Sequence, residues 1–100
     1  MKTKNARMLN EYAWGILTDE GIPARDIPLA TKLARAAVDA SDAKEAGILD
    51  TYARALFDSG KAAEAGDWQK KAIAAADDEE TRKELEVTLK KYQQKAAAKQ

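Results

Sequence analysis

Apolar residues return every three or four positions through five stretches of the chain, the spacing that lines one face of an α-helix. In the first stretch, about Asn5 to Thr18, the residues Met8, Leu9, Tyr12, Ala13, Ile16 and Leu17 share a stripe. Asp19-Glu20-Gly21, then Pro23 and Pro28, punctuate its end. The second, about Ile27 to Ala40, places Ile27, Ala30, Leu33, Ala34, Ala37 and Val38 on one side. Asp26 is positioned as its N-cap, and Pro28 falls in the first turn, where a missing N–H is harmless. Asp42 with Glu45 reads as a capping-box variant opening a third helix, about Ala43 to Ser59. Gly60 suits its end, because glycine readily takes the left-handed conformation found there. A fourth helix spans roughly Lys61 to Ala76, striped by Ala62, Ala65, Trp68, Ala72 and Ile73. Asp77 with Glu80 repeats the cap pattern before a last helix bearing Leu85, Leu89 and Tyr92. Residues 1–5 are expected to be a flexible N-terminus, and 95–100 a fraying tail with little to bury.

The stripes repeat internally. Leu9, Tyr12, Ala13 and Ile16 return forty positions later as Leu49, Tyr52, Ala53 and Leu56. Ala30, Leu33, Ala37 and Val38 return thirty-five positions later as Ala65, Trp68, Ala72 and Ile73. The difference predicts a connection about five residues longer in the first copy, within Thr18–Leu29. The simplest layout is all-α: two antiparallel helical hairpins (6–41 and 42–77) and a C-terminal capping helix (78–94), five helices in a single domain over 6–94.

Composition narrows the chemistry. About a fifth of the 100 residues are alanine, which favours helices that approach closely. Lys plus Arg and Asp plus Glu are 17 each, so no net charge draws nucleic acid or an anionic membrane. Without cysteine or histidine the chain lacks a thiolate nucleophile, the commonest general base and the commonest metal ligand. The seventeen acids fall on polar stripes, loops or caps, so none is expected to be buried. Asp77-Asp78-Glu79-Glu80 is explained by capping and the helix dipole rather than by a cation. Asp19, Glu20 and Asp26 read as a solvated loop with an N-cap. The five glycines are isolated, so there is no phosphate-cradling loop, and Lys90, Lys91 and Lys95 with Tyr92 share their helix with Glu84 and Glu86 as a mixed-charge face. No cofactor, no metal and no catalytic residue are expected. No apolar run is long enough for a membrane span, and Met1–Asn10 has no signal-peptide core, so a soluble chain of undetermined compartment is expected.

Residues 46–79 resemble a tetratricopeptide (TPR) repeat through Leu49, Tyr52, Ala53, Leu56, Gly60, Ala65 and Ala72. Residues 6–42 resemble a second copy through Leu9, Tyr12, Ala13, Ile16, Ala30 and Ala37. There are departures from the pattern. The second-helix aromatic is displaced to Trp68, leaving Gln69 (and Ala34 in the first copy) at its usual place, and Asp42 and Asp77 stand where a closing proline is usual. The segments Leu9–Trp14, Ile48–Gly60 and Trp68–Ala72 are also similar to helical tails that follow thioredoxin-like domains in some bacterial proteins.

The TPR resemblance implies right-handed stacking of the hairpins, with the first helix of each pair lining a concave, partner-binding face. The positions it assigns to that face are Arg7, Asn10, Trp14, Leu17 and Thr18 on the first helix and Asp50, Arg54, Phe57 and Asp58 on the third, with Glu86 and Lys90 on the last. Trp14 and Arg54 occupy equivalent places, an aromatic beside a guanidinium, which suits an extended peptide, packing of Trp14 on the Thr18–Leu29 loop, or a stack of Arg54 on Trp14. The asparagines of a carboxylate clamp for chaperone tails are absent from those places. The expected function is a non-enzymatic protein or peptide interaction module. The alternative is a structural or dimerising appendage, with an exposed end packing on a second copy or a parent domain.

Overall fold

The computed structural model describes residues 2–18 and 26–98, with side chains from residue 5 onward. Five helices follow in order: α1 Lys2–Thr18, α2 Ile27–Ala40, α3 Ala46–Asp58, α4 Ala62–Ala75 and α5 Glu79–Ala98. Among the described residues there is no strand, and no helix is long and apolar enough to cross a membrane. The pairs α1–α2 and α3–α4 form hairpins; α3 packs on α1 and α2 as well, and α5 closes the stack against α4.

Small side chains set this arrangement. Ala6, Ala13 and Leu17 of α1 and Ala30, Ala34, Ala37 and Val38 of α2 are buried in one cluster with Leu49, Ala53, Leu56, Ala65 and Ala72 of the second hairpin. Alanine at a contact lets two helix axes approach, so the apolar stripe is covered by a neighbour rather than by its own bulk. The central helix α3 is buried around most of its circumference, at Ile48, Leu49, Thr51, Tyr52, Ala53, Ala55 and Leu56. The hydroxyl of buried Thr51 donates to the Gly47 carbonyl at 2.9 Å and is satisfied within its own helix. The last helix buries only Leu85 and Tyr92.

Helix ends differ from expectation in instructive ways. Asp26 caps α2, accepting from the Leu29 N–H at 3.0 Å, and Gly60 has φ 85°. Gly60 and Lys61 donate to Phe57 and Leu56 carbonyls in a Schellman end. The same motif ends α2, where Asp42 and Ala43 donate to Asp39 and Val38. Asp42 therefore does not cap α3: at φ 59° it occupies the place Gly60 holds in the second hairpin, and Ala43 follows at φ 57°. α3 starts later, at Ala46, after Glu45, which makes no side-chain cap bond. Before α5 the cap is Asp78, one residue later than Asp77; its carboxylate accepts from the Thr81 N–H at 3.0 Å. That bond holds the Asp78 carboxyl below the usual range.

Helix also occupies part of both expected flexible ends, beginning at Lys2 and reaching Ala98. The first connection, through residues 19–25, lies outside the described residues. Met8 and Tyr12, expected on the packed stripe, are 53% and 64% exposed. Tyr52 at the equivalent place is covered edge-on by Trp68 at 4.9 Å and by Arg35, whereas no described helix lies against the outer side of α1.

Candidate functional site

Asp50, Arg54 and Asp58 follow one another at intervals of four on α3 and so share a face. All three are half-buried, as is Phe57 beside them. The Arg54 Nε donates to Asp58 Oδ2 at 2.9 Å, with the two side chains only 32% and 12% exposed. Behind them stands Gln69 of α4, fully buried. Its Nε2 donates to Asp50 Oδ1 at 3.0 Å and to the Leu85 carbonyl of α5 at 3.1 Å, so one amide ties three helices. Its Oε1 is buried with no hydrogen-bond partner among the described residues.

The gap between α3 and α5 is bridged by aromatic rings. Phe57 and Tyr92 stack with centroids 4.5 Å apart and planes 24° from parallel. The Lys91 Nζ lies 5.3 Å from the Phe57 centroid. Phe57 and Lys91, with Gln94, Lys95 and Ala98, border a cavity of about 490 Å³ at the C-terminal end of α5.

Burial dominates the electrostatics of this face. It pushes the Asp50 carboxyl above the usual range, while the Gln69 bond and the Arg54 charge pull it back. It also pushes the Tyr92 hydroxyl up, Asp50 and Asp58 adding to the rise and Arg54 opposing it. No acid is fully buried among the described residues, but Asp50 is half-buried, because at position 50 the polar stripe of α3 turns under Gln69 of α4.

The α3 candidates, Asp50, Arg54, Phe57 and Asp58, are thus brought together, and the α1 candidates diverge. Arg7 is exposed and Trp14 is 41% exposed. Thr18, also exposed, bonds its hydroxyl to the Trp14 carbonyl at 2.8 Å. Asn10 is half-buried, with a buried Oδ1 that has no partner among the described residues. Leu17 is fully buried and belongs to the core, because its place on the helix points it at α2 as well as along the stripe. The guanidinium of Arg54 engages Asp58 rather than the Trp14 ring, and among the described residues the cations that do lie over aromatic rings are Arg35, Lys71 and Lys91. On α5, Lys91 and Tyr92 meet Phe57 of α3, whereas Glu86 and Lys90 are exposed.

Sequence reasoning passed over Gln69 and Tyr92 as site residues. Gln69 carried a signal: it falls between Ala65 and Ala72 on the apolar stripe of α4, where a polar residue must find buried partners. No family model matches the sequence, and no curated protein and no solved structure matches it.

Proposed function

We propose that this chain is a non-enzymatic interaction module of TPR type, in which α1, α3 and α5 line the face that holds an extended peptide or a segment of another protein. The observation that carries this reading is the half-buried strip Asp50, Arg54, Phe57 and Asp58, which adjoins a cavity of about 490 Å³ instead of closing into apolar packing. Carboxylates in such a strip accept peptide N–H groups or basic side chains, and the Phe57–Tyr92 stack offers an apolar contact beside them. Exposed Trp14 on α1 supplies a large ring at low entropic cost. Asp50, the carboxyl that burial raises, is tied to Gln69 and neighbours Arg54, an arrangement suited to positioning rather than to proton transfer. The balanced charge favours protein over nucleic acid or membrane.

Affinity capture tests the proposal, comparing the intact domain with a Trp14→Ala/Arg54→Gln variant of unchanged circular dichroism. A defined protein retained by the first and lost by the second supports it; identical retention by both removes it. Exposed Met8 and Tyr12 on α1, with Leu29 on α2, favour a second reading, an appendage that packs on a second copy or a parent domain. A mass by sedimentation that rises with concentration, and falls back in Tyr12→Ser, identifies packing between copies.

A further inference from the structure

On the other side of α3 from Asp50 and Arg54, α2 and α4 do not pack closely on each other. The space between α2 and the α3–α4 turn is a groove of about 610 Å³, within the range of ligand-binding clefts. Pro28, Ala36 and Tyr52 give it apolar surface, and the Thr31 and Ser59 hydroxyls, 3.3 Å apart, join α2 to the turn. Tyr52 meets Trp68 edge-on, which carries the aromatic surface across to α4.

The border of this groove is basic. Lys32, Arg35 and Lys61 line it against a single acid, Asp39. Asp39 holds Arg35 at 3.3 Å, with the guanidinium 5.7 Å from the Tyr52 centroid and 5.5 Å from that of Trp68. Lys71 reaches the same indole at 4.1 Å. Both members of the Arg35–Asp39 pair are more than half exposed, so the pair contributes little to stability and mainly orients the guanidinium. Neither Lys32 nor Lys61 has an ion pair among the described residues. In a chain of zero net charge, these cations concentrate around one aromatic floor.

We infer that this groove binds an acidic peptide segment carrying an apolar or aromatic residue. Its carboxylates pair with Lys32, Lys61 and Arg35, and its apolar side chain lies against Pro28 and Ala36, both exposed beside Tyr52. A purely electrostatic ligand such as nucleic acid would need a broader basic surface and would leave the apolar floor unused. The site is separate from the α1–α3–α5 face and does not depend on it.

Trp14 and Trp68 are the only tryptophans, so their indole N–H signals report one face each. The experiment is an NMR titration of the intact chain with an acetylated peptide, Glu-Asp-Phe-Glu-Leu-Asp-Glu. Controls are its Gln/Asn counterpart and an oligo-dT of equal charge. The expected result is a saturable shift of the Trp68 indole and the Arg35 Nε signals with the acidic peptide and none with the neutral one. A Lys32→Glu/Lys61→Glu variant should bind about tenfold or more weakly, as expected for reversing two recognition charges. Both lysines are exposed, and an unmoved Trp14 signal shows that the variant keeps its fold. The inference is overturned by an unmoved Trp68 signal, by equal binding of the neutral peptide, by tighter binding of the oligonucleotide, or by undiminished binding to the variant.

Discussion

Replacing Gln69 by leucine isolates the polar tie at the centre of the stack. The amide donates to the Asp50 carboxylate and to the Leu85 carbonyl, and its own Oε1 has no partner. A hydrogen bond to a charged group contributes about 1.5–3 kcal/mol and a neutral one about 0.5–1.5, while an orphaned buried acceptor costs about 1–3. Leucine nearly conserves volume, so no large cavity forms. The net loss at neutral pH is then about 1–2 kcal/mol, with about 3 for Gln69→Ala, where a cavity is added.

The distinguishing feature is pH dependence. Asp50 has a raised folded-state pKa, so its stabilising contribution is present below the unfolded pKa and lost as pH rises through the folded one. The Gln69 bond lowers that folded pKa, and Gln69→Leu raises it further. The deficit of the variant must therefore be full at pH 7 and shrink as pH falls through the raised folded-state pKa of Asp50 toward the unfolded value of about 4. Urea melts followed by circular dichroism at both pH values measure it, and Asp50→Asn in the same background should flatten the dependence. A deficit that is equal at both pH values, or a Gln69→Leu variant that is more stable at pH 7, would refute the reasoning.

Three further changes probe the local rules. Ala43→Gly should stabilise by about 0.5–1 kcal/mol in thermal or urea unfolding, because a left-handed non-glycine residue costs roughly 1–2 kcal/mol and glycine's extra chain entropy returns only part of it. Gly66→Ala should stabilise by a similar amount, about 0.5–1 kcal/mol, since the added Cβ would lie 3.8 Å from Leu89 Cδ1, an ordinary contact, within a helix that glycine disfavours. Asp78→Ala should lower the melting midpoint at pH 7 and have a diminishing effect in acid. The Asp78 pKa is depressed in the folded state, so its contribution is present above the unfolded pKa and lost as pH falls through the folded one.

What could be read from the sequence was what periodicity encodes. The stripes through Leu49, Tyr52 and Leu56 and through Ala65 and Ala72 placed α3 and α4, the forty- and thirty-five-residue offsets gave two hairpins, and Leu85, Leu89 and Tyr92 gave the fifth helix. The spacing of Asp50, Arg54 and Asp58 put them on one face, which the structure preserves. Periodicity cannot say how much a stripe is covered. Tyr12 and Tyr52 hold equivalent positions, yet only Tyr52 is enclosed, because Trp68 of its own hairpin and Arg35 of α2 cover it, whereas the first hairpin has the smaller Leu33 at the place of Trp68. Leu17 was assigned to a binding face and lies in the core for the converse reason: α2 approaches closely on its alanines. The Asp42 turn was misread because its capping spacing is equally compatible with a left-handed helix end, and only the backbone angle separates the two.

The central claim, that the α1–α3–α5 face holds a peptide, is tested most directly by selecting a random peptide library on the intact domain. The affinity of the enriched peptides is then measured for two folded variants, Trp14→Ala/Arg54→Gln and Lys32→Glu/Lys61→Glu. The expected result is a family of related peptides whose affinity drops about tenfold or more in the first variant, as truncating interface anchors does, and is unchanged in the second. No enrichment, or enriched peptides all of which bind the first variant as tightly as the intact domain and lose affinity only in the second, would contradict it.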